Sequence, residues 1–189
     1  MEIERARCTR KFLFGGLVLA LPWLAHGAAA EERFLTNPLE GFHRVADDLP
    51  ADESYFTVAF APEGETANDW SELVTRMRFN ALAGTPPLDF IASLVAVMQD
   101  TCADVESFLV VEGEEHTLPM MVVMGSCAQS TITGRDEAFL FKAISGRDAL
   151  YVVQINAEGP LDDVFRQRWI PYVANARVCP EGSPDPECQ

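Results

Sequence analysis

The chain has 189 residues, with 14 Lys and Arg against 29 Asp and Glu and a formal net charge of −15. That balance argues against a grip on nucleic-acid phosphates, which rests on Lys and Arg, and against anionic membrane surfaces; it suits a cationic partner, a small ligand or simple solubility. No apolar run reaches the ~20 residues of a spanning helix, so no membrane span is expected.

The first elements are those of an export signal. Arg5, Arg7, Arg10 and Lys11 precede an apolar run over 12–25, and Ala28-Ala29-Ala30 supplies the small residues of a cleavage site. Residues 1–30 therefore read as a signal peptide cut near Ala30-Glu31, placing the product in the periplasm or outside the cell. Losing its four basic and two acidic residues takes the net charge from −15 to −17 and leaves Lys142 as the only lysine. Four cysteines remain, an even number that argues for two disulfides in an oxidising compartment.

Residues 31–53 are polar and turn-rich and are expected to form an irregular arm. The span 54–178 reads as one domain. Apolar and polar residues alternate over 55–60 and again over 74–79, the signature of half-buried strands; between them Asn68, Asp69, Ser71 and Glu72 around Trp70 predict a capped helical turn. Thr85-Pro86 opens a helix as N-cap and first helical residue, and Ile91, Leu94, Val95, Met98 and Cys102 form its apolar stripe. Four short apolar runs follow, at 108–111, 120–124, 138–144 and 150–155, separated by glycine-containing turns, and predict an antiparallel meander. Gly159-Pro160 then starts a second helix with Leu161, Phe165, Trp169, Tyr172 and Ala176 on its inner face. Pro171 is expected to kink or split it, and Arg166, Arg168 and Arg177 to lie towards its negative end. The expected fold is α+β, a mainly antiparallel sheet in the order ββ-α-ββββ-α with two helices packed on it, as one disulfide-bridged domain. Of three connectivities, Cys102–Cys127 and Cys179–Cys188 are favoured. The first joins a helix end to the strand beneath it; the second closes the Pro-rich tail 179–189.

The chemistry-bearing residues are sparse. His116 follows Glu112, Glu114 and Glu115, but consecutive residues of a hairpin loop do not converge on one ion; His43 lies in the arm beside Asp47 and Asp48. Gly125-Ser126-Cys127 lacks the partners of a nucleophilic cysteine and reads as a disulfide site. There is no phosphate-cradling glycine loop, so no catalytic, cofactor-binding or metal residue is assigned. Trp70, with Arg76 and Arg78 on the following strand, is the candidate interaction surface. The competing reading is a Trp70 that staples its turn onto the sheet, with arginines paired to carboxylates.

The run from Phe60 through Pro62-Glu63-Gly64 and Trp70 to Thr75 resembles a block found in exported proteobacterial proteins of no assigned activity. The element order is similar to the PsbP/Mog1-type α/β/α sandwiches, a resemblance that implies a binding or assembly factor. The expected function is an exported, non-enzymatic binding or interaction protein. The alternatives are an acidic inhibitor or immunity protein capping a cationic extracellular enzyme, and a hydrolase acting through paired carboxylates.

Overall fold

The computed structural model describes residues 32–180 and 182–188; the leader expected over 1–30 lies outside them. In chain order the strands are β1 (Arg33–Leu35), β2 (Phe42–Asp48), β3 (Tyr55–Pro62) and β4 (Glu72–Phe79). Helix α1 (Pro87–Thr101) is followed by β5 (Asp104–Glu115), β6 (Leu118–Ala128), β7 (Glu137–Ser145) and β8 (Leu150–Glu158). Helix α2 (Asp163–Asn175) and β9 (Arg177–Cys179) follow, and a short 3-10 turn (Pro186–Cys188) lies in the tail.

Seven strands form one antiparallel sheet in the order β2-β3-β4-β8-β7-β6-β5, while β1 and β9 pair as a separate ribbon. The predicted meander is present as β5 to β8. It runs inward from the far edge and closes against β4, so α1 carries the chain across the sheet from β4 to β5. The two helices cover opposite faces. α1 packs Ile91, Leu94, Val95 and Met98 on Met121, Val123, Phe139, Phe141 and Val152. α2 packs Phe165, Trp169, Tyr172 and Val173 on Val74, Val122, Leu140, Val153 and Ile155. Covered on both sides, β7 is buried at every position. The α+β class, the mainly antiparallel sheet, both packed helices and both bridges, Cys102–Cys127 and Cys179–Cys188, are therefore observed.

Several local expectations are corrected. The arm expected to be irregular carries β1 and β2, because Phe34 and Phe42 find partners in Tyr151 and Trp169 (ring centroids 5.4 and 5.9 Å apart) that sequence alone does not reveal. The turn at Trp70 is not helical: a Thr66–Asp69 bridge closes it, and Glu65 accepts from the Ser71 N–H and hydroxyl at 2.6 and 2.7 Å. Pro86 takes the cap position of α1 and Pro87 begins it. α2 starts one residue after Asp162, whose side chain accepts from the Phe165 N–H at 2.9 Å, and it continues through Pro171. Arg166 and Arg168 serve ion pairs rather than the helix end, with Asp163 and Glu72, whereas Arg177, from β9, donates to the carbonyl of Asn175 at the end of α2 at 3.2 Å and also pairs with Glu187. The tail is held by more than its bridge, since Arg33 donates to the Cys188 carbonyl and His116 lies 2.9 Å from Asp185.

Glu32 locks the β7–β8 turn. Its buried carboxylate accepts from the backbone N–H groups of Arg147 and Asp148 at 2.9 and 3.1 Å. Gly146 leaves room for this: a Cβ there would lie 2.2 Å from Glu32 Oε2, 2.6 Å from Tyr151 Cε2 and 2.8 Å from the Ala149 carbonyl. Gly146→Ala is expected to cost about 1–3 kcal/mol, the usual penalty for overpacking, read as a lowered urea midpoint. Glu32→Ala in the same chain should make the added methyl cheaper than it is alone.

Candidate functional site

On the α1 face the helix lies over β5, β6 and β7. The floor beyond it, towards β8 and β4, stays open as a cleft of about 250 Å³. Its walls are Leu94, Val97 and Met98 of α1, Leu73 of β4, Ile132 from the β6–β7 loop, and Trp70. A row of polar side chains runs along the floor. Gln154 and Asn156 are two apart on β8 and share one face; the Gln154 amide donates to Asn156 Oδ1 at 2.6 Å. Asn156 donates to Glu137 Oε2 at 3.1 Å, and the Thr133 hydroxyl donates to Glu137 Oε1 at 2.5 Å. Each carboxylate oxygen thus holds one neutral donor and keeps a lone pair free. The Cys102–Cys127 bridge lines one end. Thr131 joins the loop to the helix end there, its N–H and hydroxyl both donating to the Thr101 carbonyl at 2.7 and 3.0 Å.

The opposite face has a different arrangement. Lys142 lies in the middle of β7 beneath α2, its Nζ 2.9 Å from Glu115 Oε2 and donating to the Ala176 carbonyl at 2.6 Å. Burial pulls its pKa below the usual 10.5, against the opposing pull of Glu115. Beside this pair is an apolar pocket of about 160 Å³ lined by Val110, Val111, Met120, Val122, Ile170 and Val173.

The two edges of the sheet also differ. β2 is short and charged, with Arg44 paired to Asp47 and Asp48 accepting from the Tyr55 hydroxyl. β5 is 12 residues long, and Phe108, Leu109, Val110 and Val111 in its centre are 38–58% exposed. A register shift between Leu109 and Val111 leaves Val110 as a bulge.

The residues singled out from sequence do not form one surface. Trp70 is buried at 7% exposure and borders the cleft; Arg135 lies over its ring at 5.4 Å and donates to its carbonyl at 2.9 Å. Arg76 and Arg78 belong to the other face. Arg76 donates to the Tyr172 hydroxyl at 2.8 Å and lies 4.7 Å from the Phe60 ring centroid; Arg78 donates to Asn80 Oδ1 at 2.9 Å. His43 lies 3.8 Å from Glu63. Among the described residues no group of three or more His, Cys, Asp or Glu side chains is placed to hold a metal ion. Sequence reasoning missed Glu137, Lys142, Gln154 and Asn156. The signal was a polar residue at inward positions of strands otherwise apolar on both faces.

These features define a disulfide-bridged α+β sandwich with an open polar-floored cleft on one face and an unpaired apolar edge. Among the described residues no helix is long and apolar enough to cross a membrane. No family model matches the sequence, and no curated protein matches it. A solved structure, the crystal structure of LpqN involved in cell envelope biogenesis of Mycobacterium tuberculosis, is similar with a TM-score of 0.38 and 11% identity, over 81% of this chain and 86% of that one.

Proposed function

We propose that the protein is exported to the periplasm or beyond and is a non-enzymatic interaction protein, which takes an extended segment of a cationic partner onto the open edge of β5. The carrying observation is the contrast between the two edges of one sheet. A long edge with four exposed apolar residues is a template for strand addition, in which main-chain hydrogen bonds supply affinity and pockets for alternate side chains supply specificity. The pocket at Val110 and Val111 is the place for one such side chain. The charge of the partner follows from the flanks, Asp104 and Glu106 before the apolar stretch and Glu112 and Glu114 after it. A second copy fits poorly. Antiparallel pairing about Leu109 and Val110 would set Asp104 opposite Glu115, and Glu106 between Glu112 and Glu114 on the neighbouring chain. The signal-peptide pattern, the two bridges and the resemblance of 60–75 to exported proteins of no assigned activity support the same reading.

The test is calorimetric titration of the chain from residue 31 onward with a synthetic peptide of Val, Ile and Phe flanked by lysines. Binding that weakens with salt, is absent with glutamate flanks and is lost when alternate peptide nitrogens are methylated is the expected result. Equal binding of both flanks, or a dimer in sedimentation, overturns it. The same acidic flanks favour a second reading, an inhibitor that caps a cationic enzyme. Unchanged turnover of a basic lysozyme at low ionic strength removes that member of the class.

A further inference from the structure

We propose that the cleft beneath α1 is a binding site for a small organic cation, an ammonium or guanidinium group carried on an apolar body. The argument starts from Glu137, which is 6% exposed. A buried carboxylate normally has a cation or several strong donors to balance it. Glu137 has two neutral donors, the Thr133 hydroxyl and the Asn156 amide, and no ion pair with a Lys, Arg or His among the described residues. The nearest basic residue in sequence, Arg135, is committed to Glu158 at 2.8 Å and to the Trp70 carbonyl. Lys142, five residues along the same strand, emerges on the opposite face with Glu115. One strand therefore carries two buried charges, of which one is matched inside the protein and the other is left facing an open cleft.

The cleft supplies what such a ligand needs. Each Glu137 oxygen retains a free lone pair, and Gln154 and Asn156 offer further amide groups beside it. Leu73, Leu94, Val97 and Met98 cover an apolar body. At about 250 Å³ the space lies just under the roughly 300–1,000 Å³ of drug-sized ligands, which sets the ligand class as small. This site is separate from the β5 edge and stands without it.

The probe is phenethylammonium, with phenylpropanol as its neutral counterpart and phenylpropionate as the anion. Each is titrated into the chain from residue 31 onward while the side-chain amide signals of Gln154 and Asn156 are followed by NMR. Saturable binding of the ammonium with shifts of both amides, and none with the alcohol or the acid, is expected. Glu137→Gln should weaken ammonium binding about tenfold or more, the scale of a lost charge-assisted hydrogen bond. Val97→Trp, at an exposed position of the cleft wall, should block the ammonium while leaving the Glu137 row and the fold intact. Equal binding of ammonium and alcohol, no saturable ammonium binding, or an ammonium affinity unchanged in either variant overturns the proposal.

Discussion

Glu115→Gln is expected to cost about 3–5 kcal/mol of folding free energy, the range for leaving one member of a buried ion pair without the other. The reason is the unequal burial of the pair. The Lys142 side chain is 3% exposed and that of Glu115 is 21% exposed. Removing the carboxylate charge strands an ammonium that α2 and the sheet have closed off, with only neutral acceptors left, the Ala176 carbonyl and the amide oxygen of the new glutamine. Lys142→Met strands a carboxylate that still reaches water, so its cost should be clearly smaller. The double variant Lys142→Met with Glu115→Leu should recover most of the loss, because well-packed apolar replacements of a buried pair are often neutral. Urea denaturation of the four chains makes the comparison, and a Lys142→Met cost equal to or above that of Glu115→Gln would contradict it. The pH dependence has a definite sign. Burial holds the folded pKa of Lys142 below 10.5, so between the two values the unfolded chain binds more protons and stability rises with pH. Without Glu115 the folded value falls further and the rising window opens at lower pH. Tyr151 acts the other way: burial raises its pKa above the usual 10, so its contribution is intact below pH 10 and is lost as pH climbs towards the folded value.

The meander was legible because its turns announce themselves: Gly134 adopts a positive φ of 73°, and the apolar runs on either side match strands that pair residue for residue, as in Met124 with Leu140. The bridge at Cys102 was legible for a similar reason, since the apolar stripe leads to it along the helix, although α1 ends at Thr101 and Cys102 caps it in an extended conformation. What sequence could not supply was distance along the chain. β1 exists because Arg33, Phe34 and Leu35 meet Cys179, Val178 and Arg177, a pairing with no local signal. The join of β4 to β8, which sets α1 as the crossover, is equally non-local. The cleft shows a further limit. Glu137, Gln154 and Asn156 look like ordinary polar alternation until both faces of the sheet are known to be covered. Once β7 and β8 are seen to be buried on both sides, polar residues there require partners, and following those partners leads to the cleft.

Removing the Cys102–Cys127 bridge should cost about 3.5 kcal/mol and removing Cys179–Cys188 about 2.6 kcal/mol, from the loop entropy released in the unfolded chain for sequence separations of 25 and 9. The size ordering is the smaller part of the prediction. The first bridge ties the end of α1 to β6 at one end of the cleft, where Ala103 N–H donates to the Ala128 carbonyl and Thr131 N–H to the Thr101 carbonyl. With Cys102 and Cys127 both changed to Ala, that corner should open locally at a free energy well below global unfolding. The Thr131 amide should then exchange faster than expected from the global loss of stability alone. With Cys179 and Cys188 changed instead, the extra motion should fall in the tail, where Arg33 and Arg177 would hold an unlinked segment, and Thr131 should follow the global stability unchanged. Hydrogen exchange on the two variants at matched stability separates the outcomes. Identical Thr131 protection in both would mean that α1 is held by its apolar stripe alone. The bridge would then serve the unfolded state and not the cleft.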